Sequence, residues 1–176
     1  MNIIIRQETE KDYKLSETVV EKAFKNIEHS DHKEQFLVAK LRKSDAFIPE
    51  LCLVAEINDE IVGHIMFTKL LIKEGENRHE SLALAPVSVL PEYQNKGIGS
   101  KLILQGLKTS KEMGFKSVIV LGHDKYYPCF GFRTASKWGI KAPFDVPDES
   151  FMALELEDGS LGGVTGTVVY SKEFFE

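Results

Sequence analysis

The sequence predicts an α/β (α+β) domain, a mixed and mostly antiparallel sheet flanked by helices. Three observations predict it. Strand-length apolar runs alternate with stretches of helical periodicity, and no internal repeat or low-complexity linker interrupts them. Two strand-like runs, 51–57 and 61–73, flank Asn58-Asp59-Glu60, as a hairpin requires. Finally, the apolar run Leu82, Leu84, Val87, Val89 ends at Pro91. A polar loop there closes on Gly97 and Gly99, and Ile98, Leu102, Ile103 and Leu107 then mark one buried helix face.

Each element follows in order. Residues 3–5 form a first strand. Thr9, three residues before Asp12, starts a helix in the manner of a capping box. Its apolar stripe is Leu15, Val19, Val20, Ala23 and Phe24. Asp31-x-x-Glu34 starts a second helix, with Phe36, Leu37 and Leu41 inward. After the hairpin, a loop over 74–80 returns the chain to a strand at 81–89. The helix after the glycine loop covers about 98–113 and closes at Gly114. Residues 116–121 read as a short, fully buried fifth strand. Residues 151–156 and 164–170 read as a further antiparallel pair around Asp158-Gly159. Gly162, Gly163 and Gly166 lack a following helical pattern, so they suit a tight turn or close strand approach rather than a phosphate loop.

Composition narrows the function. The chain has 176 residues, enough for one sizeable core, with 43% hydrophobic and 28% charged residues. No run approaches the ~18 consecutive apolar residues of a membrane span. The first six residues are unsuited to a signal peptide and read as a strand. Cys52 and Cys129 lie far apart in apolar company, which predicts free thiols and a cytoplasmic setting. A net charge of −5 argues against general nucleic-acid binding. The spacing of His29 and His32 would suit a metal, but no Cys or further His supports it, so no metal is expected.

A strand, a glycine loop and a helix N-terminus in succession make an anion site. Unpaired N–H groups converge there, the helix dipole adds positive charge, and glycine admits a phosphate close to the backbone. The dinucleotide pattern G-x-G-x-x-G is absent, and no Lys-Ser/Thr pair follows Gly99 as a nucleoside-triphosphate loop demands. What remains, Gln94-x-x-Gly97-x-Gly99, resembles the pyrophosphate loop of the GNAT acetyltransferases, Q/R-x-x-G-x-G/A. Downstream, Tyr127 precedes Gly131-Phe132 by four residues, which resembles the tyrosine-to-Gly-Phe ending of the same family. Gly122-His123 stands where an Asn-centred loop is often found, a departure from the pattern. The resemblance covers residues 3 to about 135 and is looser beyond. It implies one GNAT acyl-CoA N-acyltransferase domain over 1–176, with a core at 3–135, a C-terminal strand extension at 136–176, and a sheet splayed at the fourth and fifth strands.

The resemblance also implies an N-acetyltransferase that moves an acetyl group from acetyl-CoA to a primary amine by direct attack, through a tetrahedral intermediate. It puts the thioester carbonyl at the Val87 amide and the pantetheine amides at Val89, with Ser88 between them also among the cofactor-binding residues. Pro86 cannot donate to a neighbouring strand, so it suits either the opening of the sheet or a plain bulge. The pyrophosphate falls on the amides of Asn95, Lys96, Gly97, Ile98, Gly99 and Ser100, with Gln94 and Lys96 as side-chain neighbours. Tyr127 is the expected general acid for the departing thiolate, since a phenol near pKa ~10 is matched to a thiol near ~8.5. Tyr126 is expected in packing or beside the pantetheine. Some family members carry a glutamate base on the fourth strand; the matching position here is Ala83, and residues 81–89 hold no ionisable side chain. His123 and Asp124, or Glu28, His29, Asp31 and His32, are the remaining candidates, and His64 is expected to be a partly buried structural residue. The acceptor amine is unspecified. Residues 26–32, 67–72 and 133–148 would line its pocket, and the aromatic-rich last stretch would equally serve a homodimer contact. The rival classes are a non-catalytic acyl-CoA-binding or sensing domain and a generic nucleotide-binding protein.

Overall fold

The computed structural model describes all 176 residues. Strand β1 (Ile4–Gln7) leads through a 3₁₀ turn into α1 (Tyr13–Phe24), and α2 is Glu34–Leu41. The hairpin strands are β2 (Phe47–Ile57) and β3 (Glu60–Glu74), followed by β4 (Asn77–Val89). Helix α3 (Ile98–Glu112) precedes β5 (Ser117–Leu121). The last third adds β6 (Arg133–Thr134), β7 (Ile140–Lys141), β8 (Phe151–Glu155) and β9 (Gly166–Val169). All nine strands belong to one sheet, ordered β1-β2-β3-β4-β5-β8-β6, with β9 beside β3 and β7. Only β4–β5 and β7–β9 run parallel.

Local chemistry explains the joints. The Asp12 carboxylate accepts from the Thr9 N–H at 2.8 Å and closes the helix entry. Asn58 and Asp59 both take positive φ, the left-handed pair that a tight hairpin turn needs. Gly114 does the same just after α3.

The sheet's two faces carry different helices. On β3, Phe67 lies against Gly106 of α3, where an added Cβ would stand 2.2 Å from the ring. Gly63 faces the same way, against Leu102 and Ile98. Successive strand residues point to opposite faces, so His64, Met66 and Thr68 face the other side. There α1 and α2 pack Val20, Val38 and Leu41 onto Cys52 and Met66.

Five expectations change. In α1 Leu15 is exposed and Ser16 takes an inward place; in α2 Phe36 is exposed, and Gln35 and Val38 are buried instead. The second helix is only eight residues long, so a one-residue error in phase, a rotation of about 100°, moves its stripe off the sheet. The expected loop at 74–80 is mostly strand, because β3 and β4 continue to a turn at Gly75-Glu76. Leu121, at the end of β5, is exposed. Residues 151–156 and 164–170 do not pair: β8 inserts between β5 and β6, whereas β9 joins β3 and β7. Periodicity identified both strands, but partners so distant leave no local signal. The glycines there do serve a close approach, since a Cβ on Gly166 would meet the Lys73 carbonyl oxygen at 2.2 Å.

Candidate active site

The opening between β4 and β5 organises the site. The two strands pair only at Leu82 with Val118 and Ala83 with Ile119, although β4 continues to Val89. Beyond Ala83 the backbone of β4 faces a gap on that side. On its other side β4 is bulged against β3: Ile65 pairs with Val87 and Phe67 with Leu84, so two steps on β3 match three on β4. The cis Ala85–Pro86 peptide lies in that bulge. Pro86 therefore belongs to both structures proposed for it.

Gly97, at φ +81°, is the N-cap of α3, and the first bond of the helix is Lys101 N–H to the Gly97 carbonyl at 3.1 Å. The N–H groups of Ile98, Gly99 and Ser100 thus have no partner within the helix. They border a cavity of about 310 Å³ lined by Val89, Tyr93, Gln94, Asn95, Gly97, Ile98, Gly99, Ser100 and Tyr126. Backbone donors, a helix dipole and a glycine with open space above it suit an anion.

The structure brings most of the expected loop residues to this cavity, with four qualifications. Gln94 lines it, but its side-chain amide donates back to the Val89 carbonyl at 3.0 Å and so braces the loop on the strand. Lys96 is exposed and outside the lining. Val87 is half-buried against the main core; Ser88, one residue on, faces the α1 side, fully buried, with a hydroxyl that has no protein partner. Tyr126, expected elsewhere, forms a wall of this cavity, its hydroxyl 3.1 Å from Ser100 Oγ. A tyrosine 26 residues beyond Ser100 gave no sequence signal for that contact.

Tyr127 starts the 3₁₀ turn after β5 and is buried in the main core. Its ring meets Phe132 edge-on at 5.7 Å and Tyr126 at 5.1 Å, both near-perpendicular. Gly122 makes the seat: a Cβ there would stand 2.4 Å from the Tyr127 ring. Burial, with a smaller contribution from Tyr126, pushes the phenol up to about 12.

On the sheet's other face, the gap opens into an apolar chamber of about 220 Å³. Its walls are Ala83, Leu84 and Ala85 of β4, Ile119 and Leu121 of β5, and Phe144, Tyr170, Phe174 and Phe175 from the C-terminal third. Phe174 also borders a wider cleft of about 740 Å³ between α2 and the chain end, lined by His29, Asp31, Glu34 and Glu173 among others. Of the candidate bases, His29 and Asp31 line this cleft, whereas His123 and Asp124 are exposed and line none of the cavities described. His32 Nδ1 donates to the Phe24 carbonyl, 3.0 Å away, and so caps α1.

His64 is fully buried rather than partly buried, and Cys52 has polar neighbours, Glu8 and His64, beside the expected apolar ones. The Cys52 thiol donates to Glu8 at 3.0 Å and lies 3.3 Å from His64 Nε2. Glu8, Cys52 and His64 together have metal-ligand spacing. Arg42, however, forks onto both Glu8 oxygens at 3.1 and 2.8 Å and occupies the carboxylate. The set is an internal ion-pair network, and its Arg42 also reaches Glu17.

Residues 21–132, more than half of the chain, match the acetyltransferase (GNAT) family. The chain belongs to the GNAT family. It is 41% identical over 118 residues to YjhQ of Escherichia coli K12, named an uncharacterized N-acetyltransferase; the match covers 66% of this chain and about 65% of that relative's length. It is 28% identical to E. coli YhbS over 80% of this chain and 83% of YhbS. The crystal structure of YhbS with CoA superposes with a TM-score of 0.89 at 25% identity, covering 100% of this chain and 93% of that one. A GNAT acetyltransferase from Brucella melitensis, solved with acetyl-CoA, gives 0.81 at 32% identity, covering 98% of each chain.

Proposed function

We propose that this GNAT protein is an acetyl-CoA-dependent N-acetyltransferase acting on a primary amine. One observation carries the proposal: β4 and β5 part beyond Ala83, the helix-terminal cavity reaches Val89 at the end of β4, and Tyr127 starts the turn that follows β5. The CoA and acetyl-CoA complexes of the YhbS and Brucella proteins support the choice of donor.

In this reading the α3 N-terminus and the loop from Asn95 to Ser100 hold the pyrophosphate. Tyr126 adds a hydroxyl from the opposite wall. The unpaired edge of β4 from Ala85 to Val89 takes the pantetheine, and the Val87 amide is the donor that a developing oxyanion needs. The amine attacks the thioester carbonyl, the C–N bond forms, and the C–S bond breaks with its electrons on sulfur. Tyr127 supplies the proton to that sulfur. Its raised pKa keeps it protonated at neutral pH, and the same apolar surroundings raise the thiol it must protonate.

The site's lack of an ionisable group at Ala83 is the observation that favours a non-catalytic acyl-CoA sensor instead. Two measurements separate the readings. Calorimetry with acetyl-CoA, ATP and NAD should show binding of acetyl-CoA alone. CoA release with a panel of amines should then show turnover; binding without turnover on any amine leaves the sensor.

A further inference from the structure

The apolar chamber beside Ala83 has no place yet in the chemistry. It opens where β4 and β5 part, on the face opposite the anion cavity. Ala83 pairs with Thr68, which faces away from the α3 side where Phe67 packs, whereas Val89 borders the anion cavity. A donor held at α3 and a second molecule in this chamber would therefore meet at the gap from opposite faces.

Its lining has no charged side chain. Aromatic rings dominate: Phe144 stacks on Tyr170 at 6.0 Å and 10°, and Phe174 tilts against Tyr170 at 5.2 Å. Leu121, Phe144 and Phe175 are each more than a third exposed, an apolar surface that folding leaves open to solvent. The volume, about 220 Å³, exceeds the roughly 150 Å³ of apolar cavity known to hold benzene. A phenyl-sized group with a short arm fits.

Resting on the acetyl-transfer reading, we propose that this chamber binds the body of the acceptor, an arylalkyl or short apolar primary amine, and admits it only in its neutral form. An ammonium would have to shed its water against apolar walls with no counter-charge, so desolvation drives the amine to release its proton first. That accounts for Ala83. The attacking nitrogen must lose one further proton; Tyr127, left as a phenolate once it has protonated the departing sulfur, takes that proton back, so the transfer balances without a strand carboxylate. The wider cleft adjoins the chamber at Phe174, and its acids, Asp31, Glu34, Glu173 and Glu176, outnumber Lys33 and Lys40 and so attract a cation to that side.

The test is CoA release at saturating acetyl-CoA with benzylamine, 2-phenylethylamine, spermidine and a lysine-bearing peptide, beside calorimetry of acetyl-CoA binding. Expected are kcat/KM values at least about tenfold higher for the two arylalkylamines, the scale on which apolar pockets discriminate. The rising limb of kcat/KM against pH should move with each amine's own pKa. Leu121→Glu and Phe144→Ala, both at exposed positions, should each lower that preference at least about tenfold with the acetyl-CoA Kd unchanged. Preference for spermidine or the peptide, or a limb fixed at one pH for every amine, overturns the proposal. So does faster turnover with butyryl-CoA than with acetyl-CoA, which would give the chamber to the acyl chain. Absence of acetyl-CoA binding would instead remove the acetyl-transfer reading beneath it.

Discussion

Two adjacent tyrosines point to two different tasks. Tyr126 stands at the wall of the anion cavity with its hydroxyl on Ser100, while Tyr127 is sunk into the core against Gly122. If Tyr127 is the acid, Tyr127→Phe keeps its packing and loses only the proton. Acetyl-CoA affinity by calorimetry should then hold while kcat falls by roughly 10²–10⁴. Tyr126→Phe removes one hydrogen bond worth roughly 0.5–1.5 kcal/mol, so acetyl-CoA should bind about two- to tenfold more weakly with kcat near its original value. An unchanged kcat in the first variant, or an unchanged Kd in the second, would reverse these assignments. Burial holds the Tyr127 phenol near 12, so activity should not fall through pH 10 as it would with an exposed tyrosine.

Helix α3 owes its place to a missing methyl group and its anion site to a left-handed turn. Gly106 lets the helix settle onto Phe67, and Gly106→Ala puts a Cβ at 2.2 Å from that ring. The helix must then move off the sheet, at a cost of roughly 1–3 kcal/mol visible in urea titration. Gly97→Ala meets open space and is strained only by its positive φ, about 1–2 kcal/mol. It should weaken acetyl-CoA binding more than stability, because the free amides start there. These elements show what a sequence can carry. Ile98, Leu102, Ile103 and Leu107 announced α3 and its buried face, and Gly97 and Gly99 announced its turn, because both signals are local. Phe36 and Leu15 misled for the opposite reason: a short amphipathic stripe fixes its phase only against the sheet it covers. The partners of β8 and β9, and the reach of Tyr126 to Ser100, depend on where distant segments come to rest. Of the chamber walls, drawn from β4, β5, Phe144 and the last seven residues, only Phe144 falls in a stretch the sequence marks as pocket-lining; the meeting of the others is invisible before the chain closes.

At the scale of the whole molecule, the face beneath α1 and α2 is pinned by buried charge. Arg42 at the end of α2 reaches Glu8 after β1 and Glu17 in α1, while Glu8 also meets Cys52 of β2 and lies 3.4 Å from His64 of β3. Five elements share one network, so loss of a single charge loosens their mutual arrangement. Burial opposes the ionisation of Glu8, but the His64 ring and the Arg42 guanidinium outweigh it and hold its carboxyl at about 2. The sign follows from linkage. A carboxyl whose pKa is depressed by folding stabilises the native state above its unfolded value, about 4.5, and loses that contribution as pH falls toward 2. Stability to urea should therefore be flat from pH 7 to about 5 and decline steadily from there to pH 2.5. Asp12, held below the usual carboxylate range by Arg6, declines in the same window, and Asp12→Asn measures its share. Glu8→Gln should be less stable at pH 7, because Arg42 is left buried without its full counter-charge, and should show a shallower decline in acid. Equal slopes for the wild type and Glu8→Gln would mean that the acid sensitivity arises elsewhere and that this network contributes packing alone.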